Sequence, residues 1–198
     1  MAMIFAAFGI LGFVNIPAYV TEGGGIGVRP SVGGQLFVDS TDLVDRSGER
    51  VFLKGVSLHG LTWFPEFINE QLFEQVSREW NANMIRLPLY TSMYLEDKKE
   101  SLSLVRKGIE AAISADMYVI VDWHVLEDKD PNVHKEEARE FFTTIVSEYA
   151  NVPNVIYEIC NEPNGETTWS DVREYAYDYM TDLELFKRLI YEIVPTVP

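Results

Sequence analysis

The sequence is poor in cysteine and in basic residues. Its 198 residues include one cysteine, Cys160, so an internal disulfide is excluded and cysteine usage does not indicate a compartment. Sixteen lysines and arginines stand against 31 aspartates and glutamates, and the formal net charge is -15 at pH 7. A chain this acidic is repelled by a phosphate backbone and by an anionic membrane surface. We therefore expect no nucleic acid and no membrane as partner, whereas a neutral polymer such as a glycan remains a candidate.

The sequence also lacks a hydrophobic run long enough to span a membrane. The N-terminal run AMIFAAFGILGFV has 13 residues, whereas a membrane-spanning helix needs about 20. It could be the apolar core of a secretion signal, but no lysine or arginine precedes it and Ala18 is the only plausible cleavage site. The glycine-rich stretch after it predicts a linker. We predict an N-terminal apolar segment and linker over residues 1–34, either a signal remnant or an ordinary hydrophobic segment, followed by a domain over residues 35–198.

Strand-like and helix-like patterns alternate from residue 35 onward. A hairpin comes first, from QLFV to RVFLKGVSL, with a turn at Ser47 and Gly48. Three more short apolar runs, ANMIRLPL, MYVIVDW and NVIYEIC, each follow a stretch with helical periodicity. A last helix is predicted from Ser170 to the residue before Pro195. The α/β pattern therefore predicts four parallel strands and four helices, in an open doubly wound sheet or in part of a (β/α)8 barrel.

Polar residues follow or end all four predicted strands. Ligands of parallel α/β folds bind at the carboxyl ends of the strands, and core packing does not explain such residues at four ends together. The phosphate-binding patterns GxGxxG and GxxxxGK[ST] are absent after these strands, so a nucleotide site has no support. The candidates are His59 after the first strand, Arg86 and Tyr90 in the second, Asp122, Trp123 and His124 in the third, and Asn161 and Glu162 after the fourth.

Five motifs follow one another in register between about residues 34 and 179. They are GVSLHGLTWF, NMIRLPLYT, MYVIVDWHVLEDKDPN, the paired phenylalanines at 141 and 142, and PNVIYEICNEPNG with Trp169. In order and spacing they resemble the family 5 glycoside hydrolases, close to the bacterial endo-β-1,4-glucanases. This resemblance implies a (β/α)8 TIM barrel that cleaves cellulose, a related β-glucan or a cello-oligosaccharide with retention of anomeric configuration. It implies no cofactor.

The resemblance also implies roles for single residues. Glu162 matches the acid/base of the family, which protonates the leaving glycosidic oxygen and later deprotonates water. Asn161 matches the residue that hydrogen-bonds the sugar 2-hydroxyl, and Arg86 resembles the arginine that keeps the nucleophile's carboxylate ionised. The other matches line the cleft: His59 and His124 at the subsite of the cleaved sugar, Tyr90 in the same cleft, and Trp63 as an aromatic platform further along.

Other interpretations of these residues stay open. His59, His124 and His134 with nearby carboxylates could in principle form a metal site, but sugar contacts explain the first two, so we predict no metal. Asp122 is predicted to be a structural hydrogen-bond partner. The nearest rival function is a mannanase or mixed-linkage glucanase of the same fold, although Trp63 in its LTWF context favours glucan. From another class, the rival is a non-catalytic glycan-binding fragment, and a gene product without function is a third option.

The resemblance covers about four βα units, half of a barrel. A retaining mechanism needs a second carboxylate about 5 to 5.5 Å from the first, and in this family it is a glutamate at the end of the seventh strand. We therefore expect residues 35–198 to be a truncated catalytic domain that lacks the nucleophile and is inactive, or nearly so, by itself. Exposed barrel edges would favour self-association or pairing with a complementary half. A polymer substrate makes an extracellular location the expected one.

Overall fold

A computed structural model describes residues 27–182 of the chain. An antiparallel hairpin precedes a four-stranded parallel sheet, whose strands alternate with helices. The hairpin strands are β1 (Phe37–Asp39) and β2 (Asp42–Val44), and the parallel strands are β3 (Gly55–Ser57), β4 (Met84–Tyr90), β5 (Tyr118–His124) and β6 (Val155–Glu158). The helices are α1 (Pro30–Gly33), α2 (Glu70–Glu79), α3 (Thr91–Glu96), α4 (Lys98–Ser114), α5 (Lys135–Tyr149) and α6 (Trp169–Asp182).

The order of the strands in the sheet follows their order in the chain. Each parallel strand pairs with the next, from β3 through β4 and β5 to β6. A doubly wound sheet reverses its order at a switch point, whereas a barrel adds its strands in sequence. The sequential order therefore confirms a partial (β/α)8 barrel preceded by a hairpin, and the doubly wound alternative is wrong.

Side-chain caps fix where two of the helices begin. Asn69 accepts a hydrogen bond from the backbone N–H of Leu72 at the start of α2, at 2.8 Å. Asp97 accepts one from the N–H of Glu100 at the start of α4, at 2.9 Å. Such caps satisfy backbone donors that have no partner inside the helix. Each helix thus begins at a defined residue and returns the chain to the amino end of the next strand.

The core lies between the sheet and its helices. Trp123 of β5, Tyr94 of α3 and Phe141 of α5 are fully buried, and their rings pack with centroids 5.4 to 5.6 Å apart. Phe142, the second of the paired phenylalanines, is also buried and touches Phe141. These large aromatic side chains bury much of the apolar area that stabilises the α/β unit. They hold β5 in place beneath the candidate residues at its end.

The hairpin lies in a different place from the predicted one. Phe37–Asp39 pairs with Asp42–Val44 across Ser40, which adopts a left-handed backbone with φ of 57°. The predicted turn at Ser47 and Gly48 exists, but it closes only a single antiparallel bridge beyond β2. The prediction of the turn is therefore confirmed and that of the paired strands is wrong. The tight turn around Ser40 leaves three residues of each strand in register.

Residues 27–34, the described part of the predicted linker, contact the body of the fold. The guanidinium of Arg29 donates a hydrogen bond to the Ser77 hydroxyl at 2.7 Å. The backbone N–H and hydroxyl of Ser31 donate to the carboxylate of Asp116, at 2.9 and 2.6 Å. The N-terminal apolar run and the predicted helix beyond residue 182 lie outside the described residues. Within residues 27–182, no helix combines the length and apolarity that crossing a membrane requires.

Candidate active site

The carboxyl ends of β3, β4 and β5 bring four predicted residues into one row of rings. Tyr90 and His124 are register partners at the ends of β4 and β5, and their ring centroids are 4.2 Å apart. The Tyr90 hydroxyl lies 3.4 Å from Nδ1 of His59. The ring of Trp63 packs 5.2 Å from His59 and 4.9 Å from Tyr90. We call His59, Trp63, Tyr90 and His124 the ring row.

The ring row is partly open to solvent. Trp63 is 53% exposed, and Phe64 and Phe67 continue the aromatic surface beside it. Aromatic faces exposed along a groove provide flat apolar surfaces for a ligand that has apolar faces of its own. A sugar ring has such a face. The ring row is thus a surface suited to stacking rather than to acid/base chemistry.

A charged cluster lies behind the ring row, centred on Arg86 of β4. Its Nε donates to Oε2 of Glu158 at 2.7 Å and its Nη2 to Oε1 of the same residue at 2.9 Å. Nη2 also donates to Oδ1 of Asn161 at 2.9 Å and forms an ion pair with Oδ2 of Asp122 at 2.8 Å. We call Arg86, Asp122 and Glu158 the charged cluster. A guanidinium suits such a site because its fixed fork of donors serves several acceptors at once.

Burial and charge shift the pKa values within the charged cluster. Burial raises the pKa of Asp122 to about 6, helped by the charge of Glu158, while His124 and Arg86 act in the opposite direction. For Arg86, burial acts to lower the pKa, but the hydrogen bond to Glu158 and the charge of Asp122 outweigh it, so the pKa is raised. The guanidinium of Arg86 is therefore charged at neutral pH. Its charge is the counterion that makes two neighbouring carboxylates tolerable.

Asn161 is held by four neighbours at the end of β6. Its backbone N–H donates to the Trp123 carbonyl at 3.1 Å, and Nδ2 donates to the Val125 carbonyl at 3.3 Å. Oδ1 accepts from Arg86, and Nδ2 lies 3.4 Å from Nε2 of His124. Because backbone and side chain are both fixed, the amide has one orientation at the rim.

Glu162 follows Asn161 and is exposed. Within residues 27–182 its carboxylate has no hydrogen bond and no ion pair, while its carbonyl accepts from Asn164 Nδ2 at 3.0 Å. Its charge raises the pKa of Arg86, which places it within electrostatic reach of the charged cluster. An exposed, unengaged carboxylate beside a fixed amide is free to exchange a proton with a ligand.

The loop after β5 borders this rim. Asp128 accepts a hydrogen bond from the Thr91 hydroxyl and lies 3.4 Å from Nε2 of His134. Lys129 accepts from the backbone N–H of Asn164 through its carbonyl, at 3.1 Å. The loop therefore connects the residues after β5 to those after Glu162. Across residues 27–182 no three histidine, cysteine, aspartate or glutamate side chains form a group that could hold a metal ion.

Glu158 is the functional candidate that the sequence pattern did not identify. It ends β6, and its carboxylate makes the bidentate contact with Arg86. The resemblance implies that the carboxylate beside Arg86 is that of the nucleophile, whereas in this structure it is that of Glu158. The signal in the sequence was a charged residue inside the apolar run NVIYEIC, four positions before Glu162. Asp122 contacts both Arg86 and His124, as its predicted role of hydrogen-bond partner requires.

Comparison with known proteins places these residues in a family context. A sequence model described as "Cellulase (glycosyl hydrolase family 5)" matches residues 44–182. The chain is 46% identical over 150 residues to "Endoglucanase A" of Butyrivibrio fibrisolvens, covering 72% of this chain and 35% of that protein. It is 43% identical over 149 residues to an "Endoglucanase" of Clostridium saccharobutylicum, covering 74% and 33%.

Solved structures are similar over most of the chain. The catalytic domain of a Thermobifida fusca endoglucanase in complex with cellotetraose superimposes with a TM-score of 0.74 at 32% identity, over 82% of this chain and 52% of that one. A thermostable cellulase from an Icelandic hot spring isolate gives a TM-score of 0.74 at 38% identity, with the same coverage. The chain spans about a third of the length of the curated relatives and about half of the solved domains.

Proposed function

The chain belongs to glycosyl hydrolase family 5, and from this membership we propose that it carries the acid/base half of a retaining site for β-1,4-glucosidic bonds. The observation that carries this proposal is the exposed, unengaged carboxylate of Glu162 beside the fixed amide of Asn161. Glu162 in its acid form protonates the glycosidic oxygen as the bond to the anomeric carbon breaks, and as carboxylate it takes a proton from the water that attacks next. Asn161 binds the 2-hydroxyl of the sugar that is cleaved.

The nucleophile of this mechanism is expected outside residues 27–182. A retaining site needs a second carboxylate about 5 to 5.5 Å from the first. Asp122 and Glu158 are the carboxylates of the charged cluster, and both are engaged by Arg86. Neither is free to attack an anomeric carbon without leaving that cation. We therefore propose that the 198-residue chain binds glycan but needs further βα units, with their own carboxylate, to cleave it.

Cellulose and cello-oligosaccharides are the proposed substrates. The relatives are named endoglucanases, and the Thermobifida fusca domain is described in complex with cellotetraose. A secreted, extracellular location follows for an enzyme that acts on a polymer. The strand edges β3 and β6 are the surfaces through which a complementary half, or a second copy, would complete the sheet.

A glycan-binding module without catalysis is the second candidate, because the exposed ring row can bind sugar without any nucleophile. Titration calorimetry with cellotetraose, run beside a reducing-sugar assay on the chain with and without added βα units, separates the two functions. Binding with turnover only after the addition supports the half-enzyme. Binding that never leads to turnover supports the module. No binding in any mixture contradicts both.

Replacing Trp63 with alanine should weaken cellotetraose binding about tenfold, a loss of about 1.4 kcal/mol. The reason is that the substitution removes an exposed aromatic face on which a glucose ring can stack. Trp80 to alanine is the matched control. Trp80 is similarly exposed, at 58%, but lies at the end of α2 before β4 begins, at the opposite end of the sheet. Equal losses for Trp63→Ala and Trp80→Ala in the calorimeter would rule out the stacking role.

A further inference from the structure

Four side chains from three strand ends form a closed ring of contacts behind the rim. Nη2 of Arg86 lies 2.8 Å from Oδ2 of Asp122, and the same oxygen lies 2.6 Å from Nδ1 of His124. Nε2 of His124 lies 3.4 Å from Nδ2 of Asn161, whose Oδ1 accepts from Nη2 of Arg86 at 2.9 Å. We call these residues the four-residue ring.

The donors in this ring fix the orientation of the Asn161 amide. A guanidinium has donors and no acceptor, so the atom of Asn161 that faces Arg86 has to be the oxygen. On the other side, the carbonyl of Val125 is an acceptor, so the atom that faces it has to be the nitrogen. These two contacts agree with each other and do not involve the histidine. The amide therefore presents N–H to Nε2 of His124.

The amide in turn fixes the proton on His124. A neutral imidazole carries its hydrogen on one nitrogen, and the other nitrogen accepts. Because Nε2 faces an N–H group, Nε2 has to be the acceptor and Nδ1 carries the hydrogen. Nδ1 then donates to Oδ2 of Asp122, which is fully buried. Asp122 and Asn161 thus favour the same tautomer of His124 from the two sides of its ring.

We propose that Asp122 is a positioning residue that, together with the Asn161 amide on the other side of the ring, holds His124 as the Nδ1–H tautomer at the rim. A consequence for ligands follows, which rests on the proposed function. A glycan hydroxyl that reaches Nε2 of His124 acts as a hydrogen-bond donor, because Nε2 has no hydrogen to give, and it competes with the Asn161 amide for the lone pair of that nitrogen. At His124 the ring row thus adds a directional polar contact to its stacking surfaces.

The test is the tautomer of His124 in the 198-residue chain. Long-range proton–nitrogen spectra of the labelled protein distinguish a protonated ring nitrogen from an unprotonated one, and only His59, His124 and His134 contribute. A His124→Gln variant identifies the signal. The spectra are recorded near pH 8, well above the ordinary imidazole pKa of about 6.5. We expect a protonated Nδ1 and an unprotonated Nε2 for His124, and the Nε2–H form or an even mixture would overturn the proposal.

Two substitutions at Asp122 show whether it sets the tautomer. Asp122→Asn keeps an oxygen that can accept from Nδ1, so the tautomer should persist. Asp122→Ala removes the acceptor at 2.6 Å and leaves the long 3.4 Å contact with Asn161 to select the tautomer, so His124 should become a mixture of tautomers, and cellotetraose should bind about tenfold more weakly. The control Asp128→Ala removes the aspartate that contacts His134 and should leave the His124 signals unchanged.

An unaltered Nδ1–H signal in folded Asp122→Ala would overturn the role of Asp122. If Asp122→Ala does not fold, the unsubstituted chain and Asp122→Asn still test the proposal. The Nε2–H form of His124 in either protein would contradict the proposed Nδ1–H tautomer. The spectra need neither glycan nor turnover. Failure of the proposed function, which would appear as absent cellotetraose binding, is therefore distinguishable from failure of the ring.

Discussion

Replacing Glu162 with glutamine should lower the turnover of β-1,4-glucan at least about 100-fold in a mixture in which the chain has been completed by further βα units. Glutamine keeps the size and polarity of the side chain but cannot give a proton to the leaving oxygen. For glycosides whose leaving group departs without protonation, the substitution should lower the rate of the bond-breaking step much less. The measurement is the initial rate of reducing-sugar release from soluble carboxymethyl-cellulose, compared with the rate on an aryl cellobioside that has an acidic phenol as leaving group.

The control for this substitution is Glu166→Gln. Glu166 is an exposed carboxylate four residues further along the same loop, at the border of a different pocket beside Lys129 and Asp171. The Glu166→Gln variant should keep the turnover rate of the unsubstituted chain within about twofold, since a surface substitution away from the reacting atoms has little effect on stability or rate. Equal losses for the two variants, or an unchanged rate for Glu162→Gln, would remove Glu162 from the role of acid/base.

Replacing Arg86 with methionine should lower the free energy of unfolding by about 3 to 5 kcal/mol, the usual cost of leaving a buried charge without its partner. The variant leaves Asp122, which is fully buried, and Glu158 without a cation between them. Methionine keeps the apolar stem, so lost packing contributes little. Urea unfolding followed by tryptophan fluorescence measures the change. Arg86→Lys retains the charge but not the fork of guanidinium donors, so its free energy of unfolding should lie between those of the unsubstituted chain and Arg86→Met.

Arg106→Met is the matched control for Arg86. Arg106 makes the same bidentate contact, with both oxygens of Glu148 at 2.7 Å, but its side chain is 38% exposed against 16% for Arg86. Solvent screens an exposed pair, so its loss should cost less than about 1 kcal/mol. A similar loss of stability in the two variants would mean that burial of the charged cluster does not determine its contribution.

The architecture could be predicted because its two central strands, β4 and β5, are largely buried on both faces. Such strands read as continuous apolar runs, and a helical pattern between two of them predicts a parallel neighbour. The hairpin was misplaced for a local reason. Its turn depends on Ser40 in a left-handed conformation, which serine adopts far less readily than glycine. A conventional turn at Ser47 and Gly48 follows a few residues later, and the sequence pattern therefore predicts the hairpin there.

The positions of the candidate site residues could be predicted, but their pairing could not. A polar residue at the end of a buried strand indicates the ligand rim from sequence alone. The contact of Arg86 with Glu158 joins β4 to β6 across β5, over 72 residues of chain. A glutamate in an apolar run reads equally well as a solvent-facing position, so only the register of three strands reveals the pair. The tautomer of His124 depends on that same register.

The central claim is that this chain supplies the acid/base half of a two-carboxylate site. Its most direct test mixes the purified chain with a polypeptide that supplies strands five to eight of a similar endoglucanase, such as that of Thermobifida fusca, and measures reducing-sugar release from carboxymethyl-cellulose. We predict no turnover by either polypeptide alone, turnover by the mixture, and turnover at least about 100-fold slower when the chain carries Glu162→Gln. Turnover by the monomeric 198-residue chain alone, abolished by Glu162→Gln, would contradict the account.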